Sequence, residues 1–210
     1  EDKEKEFGYI EIQDVTSQFG AFAIAGPKSK EFLISMINDK EPSELFSNKN
    51  FPWLSSKNIE LDMIPILAIR VAYTGELGWE LHYPVEFQNK LLDILLEAGK
   101  NFDLKLVGSR AQNWLRQEKS YRAFGNELGR DAGLVEAGLD KFVNLNKEFL
   151  GKSGLQNRSI KSKCVTLLID GPKDCDPWGR EAIYKEGKTV GRLTSGGYSV
   201  VFEKSIGMGY

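Results

Sequence analysis

The run Ile64–Pro84, IPILAIRVAYTGELGWELHYP, constrains the fold more than any other stretch. Ile64–Tyr73 is apolar enough for an interior strand, and Gly78–Tyr83 alternates Trp79, Leu81 and Tyr83 against Glu80 and His82. Two such stretches joined by so short a link read as antiparallel neighbours, because a parallel return needs a dozen or more residues. The link is unusual. A bare hairpin favours Asn-Gly or Asp-Gly, whereas this one places a carboxylate, Glu76, at its apex.

Around this hairpin the pattern alternates between strand and helix. Tyr9–Asp14 and Ala21–Ala25 read as short strands, and Gly26-Pro27 opens a helix whose stripe is Phe32, Leu33, Met36 and Ile37. Residues 39–62, interrupted by Pro42 and Pro52, read as irregular connection. A helix is expected from about Glu86 to Ala98 with Gly99 as its stop, and a second from Ser109 to Phe124. After Gly151 no helical period remains. From Cys164 the text is β throughout: VTLLI, a hairpin AIYKEGKTVGRLT with Glu186-Gly187 at its turn, and GGYSVV after paired glycines. The polar stretch 157–163 divides an α+β domain, 1–158, from a β domain, 159–210, with too few strands to close a barrel.

Composition excludes several function classes. A net charge of -2 over 210 residues, with no basic stripe, argues against a nucleic-acid partner. No apolar run reaches the length of a membrane span, and the opening EDKEKEFG is a charged lead-in with no signal-peptide pattern. Cys164 and Cys175 are too far apart for a CxxC site and read as reduced thiols, pointing to a cytoplasm or a mitochondrial matrix. No nucleophile elbow, Walker loop or HExxH appears. His82, the single histidine, shares a strand face with Glu80 and reads as an ordinary sheet residue, so no metal site is expected. Gly125, Gly129 and Gly133 do not follow a strand and fail the context of a dinucleotide loop.

In SRAQNWLRQEKSYRAFG, helical spacing puts Trp114, Glu118 and Tyr121 on one face. A carboxylate inside an aromatic stripe needs a cation or several donors, and Arg122 is the nearest candidate. Either the face is a structural ion pair with core aromatics, or it lines a flat, polar-edged ligand pocket.

Several ordered blocks resemble one family. YTGE followed by G-x-E-L, the upstream DVTSQFGAFAIAGPKSKEFL, and the downstream LRQEKSYRAFGNELGRDAGLVEAGLDKFVNLNKEFLGKSGL are similar to folate-dependent aminomethyltransferases, the glycine cleavage T-protein family. The long downstream block resembles the C-terminal half of dimethylglycine and sarcosine dehydrogenases more closely. CDPWGREAIY and VGRLTSGGYSVVFEKSIGMGY resemble the same family's C-terminal barrel. The resemblance implies a folate-binding fold with ferredoxin-like β/α halves followed by part of an antiparallel barrel. It implies tetrahydrofolate as ligand, with Glu76 on the pteridine. A pterin edge presents a ring N–H beside an NH₂, two donors that a carboxylate accepts together. Tyr121 and Tyr73 are further folate candidates. Arg116 pairs either with a local carboxylate or with the folate glutamate tail.

Two departures matter. Gln112 stands where the glycine cleavage proteins carry the first arginine of R-D-S-L-R, which favours the dehydrogenase branch. The family's catalytic aspartate belongs to a segment upstream of DVTSQFG, and Asp14 does not replace it, so no catalytic residue is assigned within 1–210. The resemblance therefore implies one-carbon transfer from a methylated amine to folate. FAD, if used, would sit in an upstream oxidoreductase domain. Residues 1–210 by themselves are expected to be inactive and to bind folate weakly. The alternatives are a sulfonium demethylase of the same fold and a non-catalytic folate-binding domain.

Overall fold

The structure is a computed structural model describing residues 8–172 and 175–210; most of the charged lead-in lies outside the described residues. The chain divides into two compact units. One holds residues up to Ala72 together with Glu76–Leu106, and the other holds Tyr73–Gly75 with Val107–Tyr210.

Among the described residues of the first unit, four strands pair antiparallel in the order β1-β4-β3-β2. They are β1 (Phe19–Ala25), β2 (Ser56–Leu61), β3 (Ile64–Ile69) and β4 (Gly78–Pro84). The expected hairpin is present, with Leu67 opposite His82 and Ile69 opposite Glu80. Alternation sends Ile64, Ile66 and Ala68, and likewise Trp79, Leu81 and Tyr83, to one buried face. Against that core pack Phe32 and Leu33 of α1 (Ser29–Met36) and Leu91 and Leu95 of α3 (Gln88–Gly99). Trp79 meets Phe46 edge-on at 5.5 Å and Phe51 at 6.2 Å. Each such side chain, once buried, contributes about 1.5–3 kcal/mol. His82 lies on the opposite face with its Nε2 3.4 Å from Glu80.

Three expectations for this unit need correction. Tyr9–Asp14 forms no strand, because alternation without a ladder partner is insufficient; pairing begins at Phe19, opposite Pro84. The stretch 39–62 is not all irregular. It contains the short helix α2 (Pro42–Leu45), with Pro at its first turn, and the edge strand β2. That strand escapes notice because its hairpin with β3 turns through Asp62 and Met63, both at positive φ (47° and 64°), without the glycine that usually marks such a turn. Finally, β3 stops at Ile69, short of Tyr73; the Arg70 N–H instead donates to the Ser55 carbonyl at 2.9 Å.

In the second unit, α4 (Ser109–Glu118) packs on a sheet ordered β5-β8-β7-β6. The strands are β5 (Val165–Ile169), β6 (Ala182–Lys185), β7 (Lys188–Ser199) and β8 (Lys204–Gly209). Glu186 and Gly187, at φ 52° and 75°, make the expected turn between β6 and β7. The paired glycines do not begin a new strand; they lie inside β7. A Cβ on Gly197 would collide with the Trp114 indole, and one on Gly196 with the Pro177 backbone. A short helix, α5 (Lys152–Gln156), follows Gly151, where the sequence offers no period to reveal it.

Candidate functional site

The segment 73–78 passes from the second unit to the first, and each end is held within its own unit. Upstream, the Tyr73 hydroxyl donates to the Arg122 carbonyl at 3.2 Å. Downstream, the Leu77 carbonyl accepts from the Gly26 N–H at 2.8 Å and from the Ser29 hydroxyl at 2.9 Å. Gly75 has φ 75°, and a Cβ there would fall on the Lys119 side chain. Gly78 lies against the Ile24 carbonyl, where a Cβ would come within 2.5 Å of that oxygen. The two glycines of the motif are thus required by a left-handed backbone and by a close strand contact. Between them Glu76 is exposed. The Thr74 hydroxyl, two residues earlier, is buried with no hydrogen-bond partner among the described residues.

The tyrosines stand on a different support. Helix α4 ends at Glu118, and Ser120 takes φ 56°. The Tyr121 N–H donates to the Arg116 carbonyl and the Ser120 N–H to the Gln117 carbonyl, both at 2.9 Å. That is the paired closure of a Schellman motif, with serine where glycine is usual. The expected helix to Phe124 therefore stops six residues early, and Tyr121 does not share a helical face with Trp114 and Glu118. The Glu118–Arg122 pair falls with it. Glu118 instead accepts from the Ser199 hydroxyl at 2.5 Å and the Val201 N–H at 3.3 Å, while Arg122 donates to the Ser120 carbonyl. Tyr121 is 39% exposed.

Of the two partners considered for Arg116, a local carboxylate is what it meets. Arg116 and Glu127 are fully buried, with Nη1 2.7 Å from Oε2. Burying such a pair is favourable only if its other donors and acceptors are met, and here they are. Arg116 also donates to Tyr121 O (2.7 Å), Ser195 Oγ (2.6 Å) and Asn113 Oδ1 (2.9 and 3.0 Å). Glu127 accepts additionally from Ser195 Oγ (2.6 Å), Thr194 Oγ1 (2.7 Å) and the Ala123 N–H (2.9 Å). Burial pushes the Glu127 carboxyl up, but those hydrogen bonds and the Arg116 charge outweigh it and hold the group below its ordinary value. Tyr73 is shifted the other way. Burial raises its phenol above the usual tyrosine range, so it remains a donor.

Tyr73, Tyr121 and Arg116, all of the second unit, thus meet around the loop 121–123, whereas Glu76 belongs to the first. Glu127, which lies in GNELG, was not legible as part of this arrangement. The available signal is Arg116 itself, a helix cation in need of a carboxylate, but helical spacing does not point past the end of the helix. No group of three or more histidine, cysteine or acidic side chains suited to a metal occurs among the described residues. No helix among them is long and apolar enough to cross a membrane.

Comparison with known proteins follows this geometry. The family description "GCVT N-terminal domain" matches residues 2–147, and "Glycine cleavage T-protein C-terminal barrel domain" matches 163–210. The mitochondrial dimethylglycine dehydrogenase of Homo sapiens is 40% identical over 97% of this chain, which spans 23% of that protein. Aminomethyltransferases of Natranaerobius thermophilus and Thermotoga neapolitana are 32% and 33% identical, and the chain spans 54% and 53% of their lengths. The crystal structure of the glycine cleavage system aminomethyltransferase T of Bartonella henselae shares the fold, with TM-score 0.73 at 23% identity over 91% of this chain and 51% of that one. The expected α+β architecture with a following barrel segment is therefore present, and the chain belongs to the glycine cleavage T-protein family.

Proposed function

We propose that this chain is the folate part of a tetrahydrofolate-dependent aminomethyl transferase of dimethylglycine dehydrogenase type. The carrying observation is Glu76: an exposed carboxylate held at an anchored, glycine-bounded turn in a member of this family. Acceptor-only chemistry suits the donor edge of a pterin. The orphaned Thr74 hydroxyl supports the fit, since a buried polar group without a partner is costly and calls for one. Tyr121 offers a partly exposed ring and Tyr73 a phenol kept protonated. Arg116 is occupied by Glu127, which favours the local-carboxylate role over contact with a folate glutamate tail. Bound tetrahydrofolate would supply the nitrogen that takes up the one-carbon unit; the residues here hold and orient it. The reading places the methylated-amine oxidation, and any FAD, on a separate domain. It places the protein in a mitochondrial matrix or a bacterial cytoplasm. The domain division proposed with it remains 1–158 and 159–210.

Calorimetric titration of tetrahydrofolate into the full-length protein, wild type and Glu76→Gln, tests the proposal. The substitution keeps size but turns an acceptor into a donor facing donors, so affinity is expected to fall by about 1.5–3 kcal/mol. Unchanged affinity in a folded variant would overturn the role of Glu76.

A further inference from the structure

The loop 121–123 is gripped by one ion pair from both sides. The Arg116 carbonyl takes the Tyr121 N–H, and the Arg116 guanidinium takes the Tyr121 carbonyl at 2.7 Å. One oxygen of Glu127 binds that same guanidinium nitrogen and the Ala123 N–H. The Arg122 carbonyl between them is the acceptor for the Tyr73 hydroxyl. The other Glu127 oxygen is tied to Thr194 and Ser195 of β7. Its four hydrogen bonds use the whole accepting capacity of a carboxylate. A stretch without helix or strand, 121–123, is thereby held as firmly as a core element, and both tyrosines depend on it.

We infer that Glu127, through Arg116, is a positioning residue for ligand binding, fixing the loop that presents Tyr121 and holds Tyr73. This rests on the folate reading above. Glu127 is buried and touches no ligand itself; its effect is transmitted through the backbone of 121–123. Replacing its charge would leave Arg116 buried and unpaired, so the guanidinium would withdraw or draw in water and release the Tyr121 carbonyl.

The test is a double-mutant cycle in tetrahydrofolate affinity, measured by calorimetry on wild type, Glu127→Gln, Tyr121→Ala and the double variant. Hydrogen exchange of the Tyr121 and Ala123 amides is followed in parallel. Glu127→Gln is expected to weaken binding by roughly three-fold or more, the range of coupling within one network. That loss should shrink on the Tyr121→Ala background, leaving only what passes through Tyr73, and the two amides should lose protection while those of β8 keep theirs. If Glu127→Gln does not fold, Ser195→Ala, which removes one donor to Glu127 and one acceptor of Arg116 and leaves the ion pair, carries the same comparison with a smaller loss. Wild-type binding with unchanged affinity in a folded variant overturns the positioning role and leaves the folate reading standing. A loss that persists in full without Tyr121 also overturns it, since the effect would then be structural. All measurements are made on the full-length protein, and absence of binding by the full-length wild type overturns both.

Discussion

Ser120 holds a left-handed backbone at the position closing α4, and its hydroxyl lies 2.7 Å from that of Thr166 on β5. The two features pull a substitution in opposite directions. Ser120→Ala loses the hydrogen bond, at a cost of about 0.5–1.5 kcal/mol, and keeps an unfavourable φ. Ser120→Gly loses the same bond but relieves the backbone, so it should be the more stable of the two by roughly 1–2 kcal/mol. Urea unfolding of the pair decides it; equal midpoints would show that the backbone at 120 is unstrained. The two thiols give a second residue-scale test. Burial raises the Cys164 thiol above its ordinary value, with the Arg122 charge acting against it, while Cys175 is exposed. Since the thiolate is the reactive form, a disulfide reagent should modify Cys175 quickly and Cys164 slowly. Cys175→Ser should abolish the fast phase alone.

Between α4 and β7 the fit depends on a strand position without a side chain. The Trp114 indole occupies the space a Cβ at Gly197 would need, and a rigid two-ring side chain cannot yield as the end of a flexible one would. Gly197→Ala should therefore destabilise the second unit by about 1–3 kcal/mol, the cost of overpacking. Loss of amide protection across β7 and β8, with β1–β4 unaffected, is the readout. This element also shows what was legible beforehand. An apolar run announced β3 and a two-residue alternation announced β4, whose inward face is buried. Helical spacing announced α4, but through Trp114, Glu118 and Tyr121, whereas its buried residues are Arg116 and Gln117. Where α4 stops was not legible, since a serine performs the closure that glycine normally signals. β2 was missed for the related reason that Asp62-Met63 turns without a glycine. The apex carboxylate at Glu76 stood out locally, whereas Glu127 did not. Its four donors come from α4, the loop after it and β7, and no local period relates such positions.

For the whole chain, the buried charged side chains among the described residues, Arg116, Glu127 and Glu136, all fall in the second unit. Glu136 is held below its ordinary value first by its hydrogen bond from Arg158, against the effect of burial. Carboxyls lowered on folding contribute stability that is full above their unfolded value and is lost as pH falls through the folded one. With ordinary values of 4.5 for both glutamates, protection of the second unit should hold to about pH 5 and decline below it. The first unit, with an apolar core, should change less over that range. Hydrogen exchange at pH 6 and pH 4 tests this, and equal losses in both units would refute it. The second unit is also discontinuous in sequence, since Tyr73–Gly75 belong with Val107–Tyr210. A recombination event that exchanged residues 107–210 between relatives would carry α4, the tyrosine loop and the C-terminal strands, yet leave Tyr73 with the recipient. The Arg122 carbonyl would then meet whatever side chain the recipient holds there. Chimaeras retaining a phenol at that place inherit the joint whole, so inheritance of this segment is filtered by one residue encoded outside it.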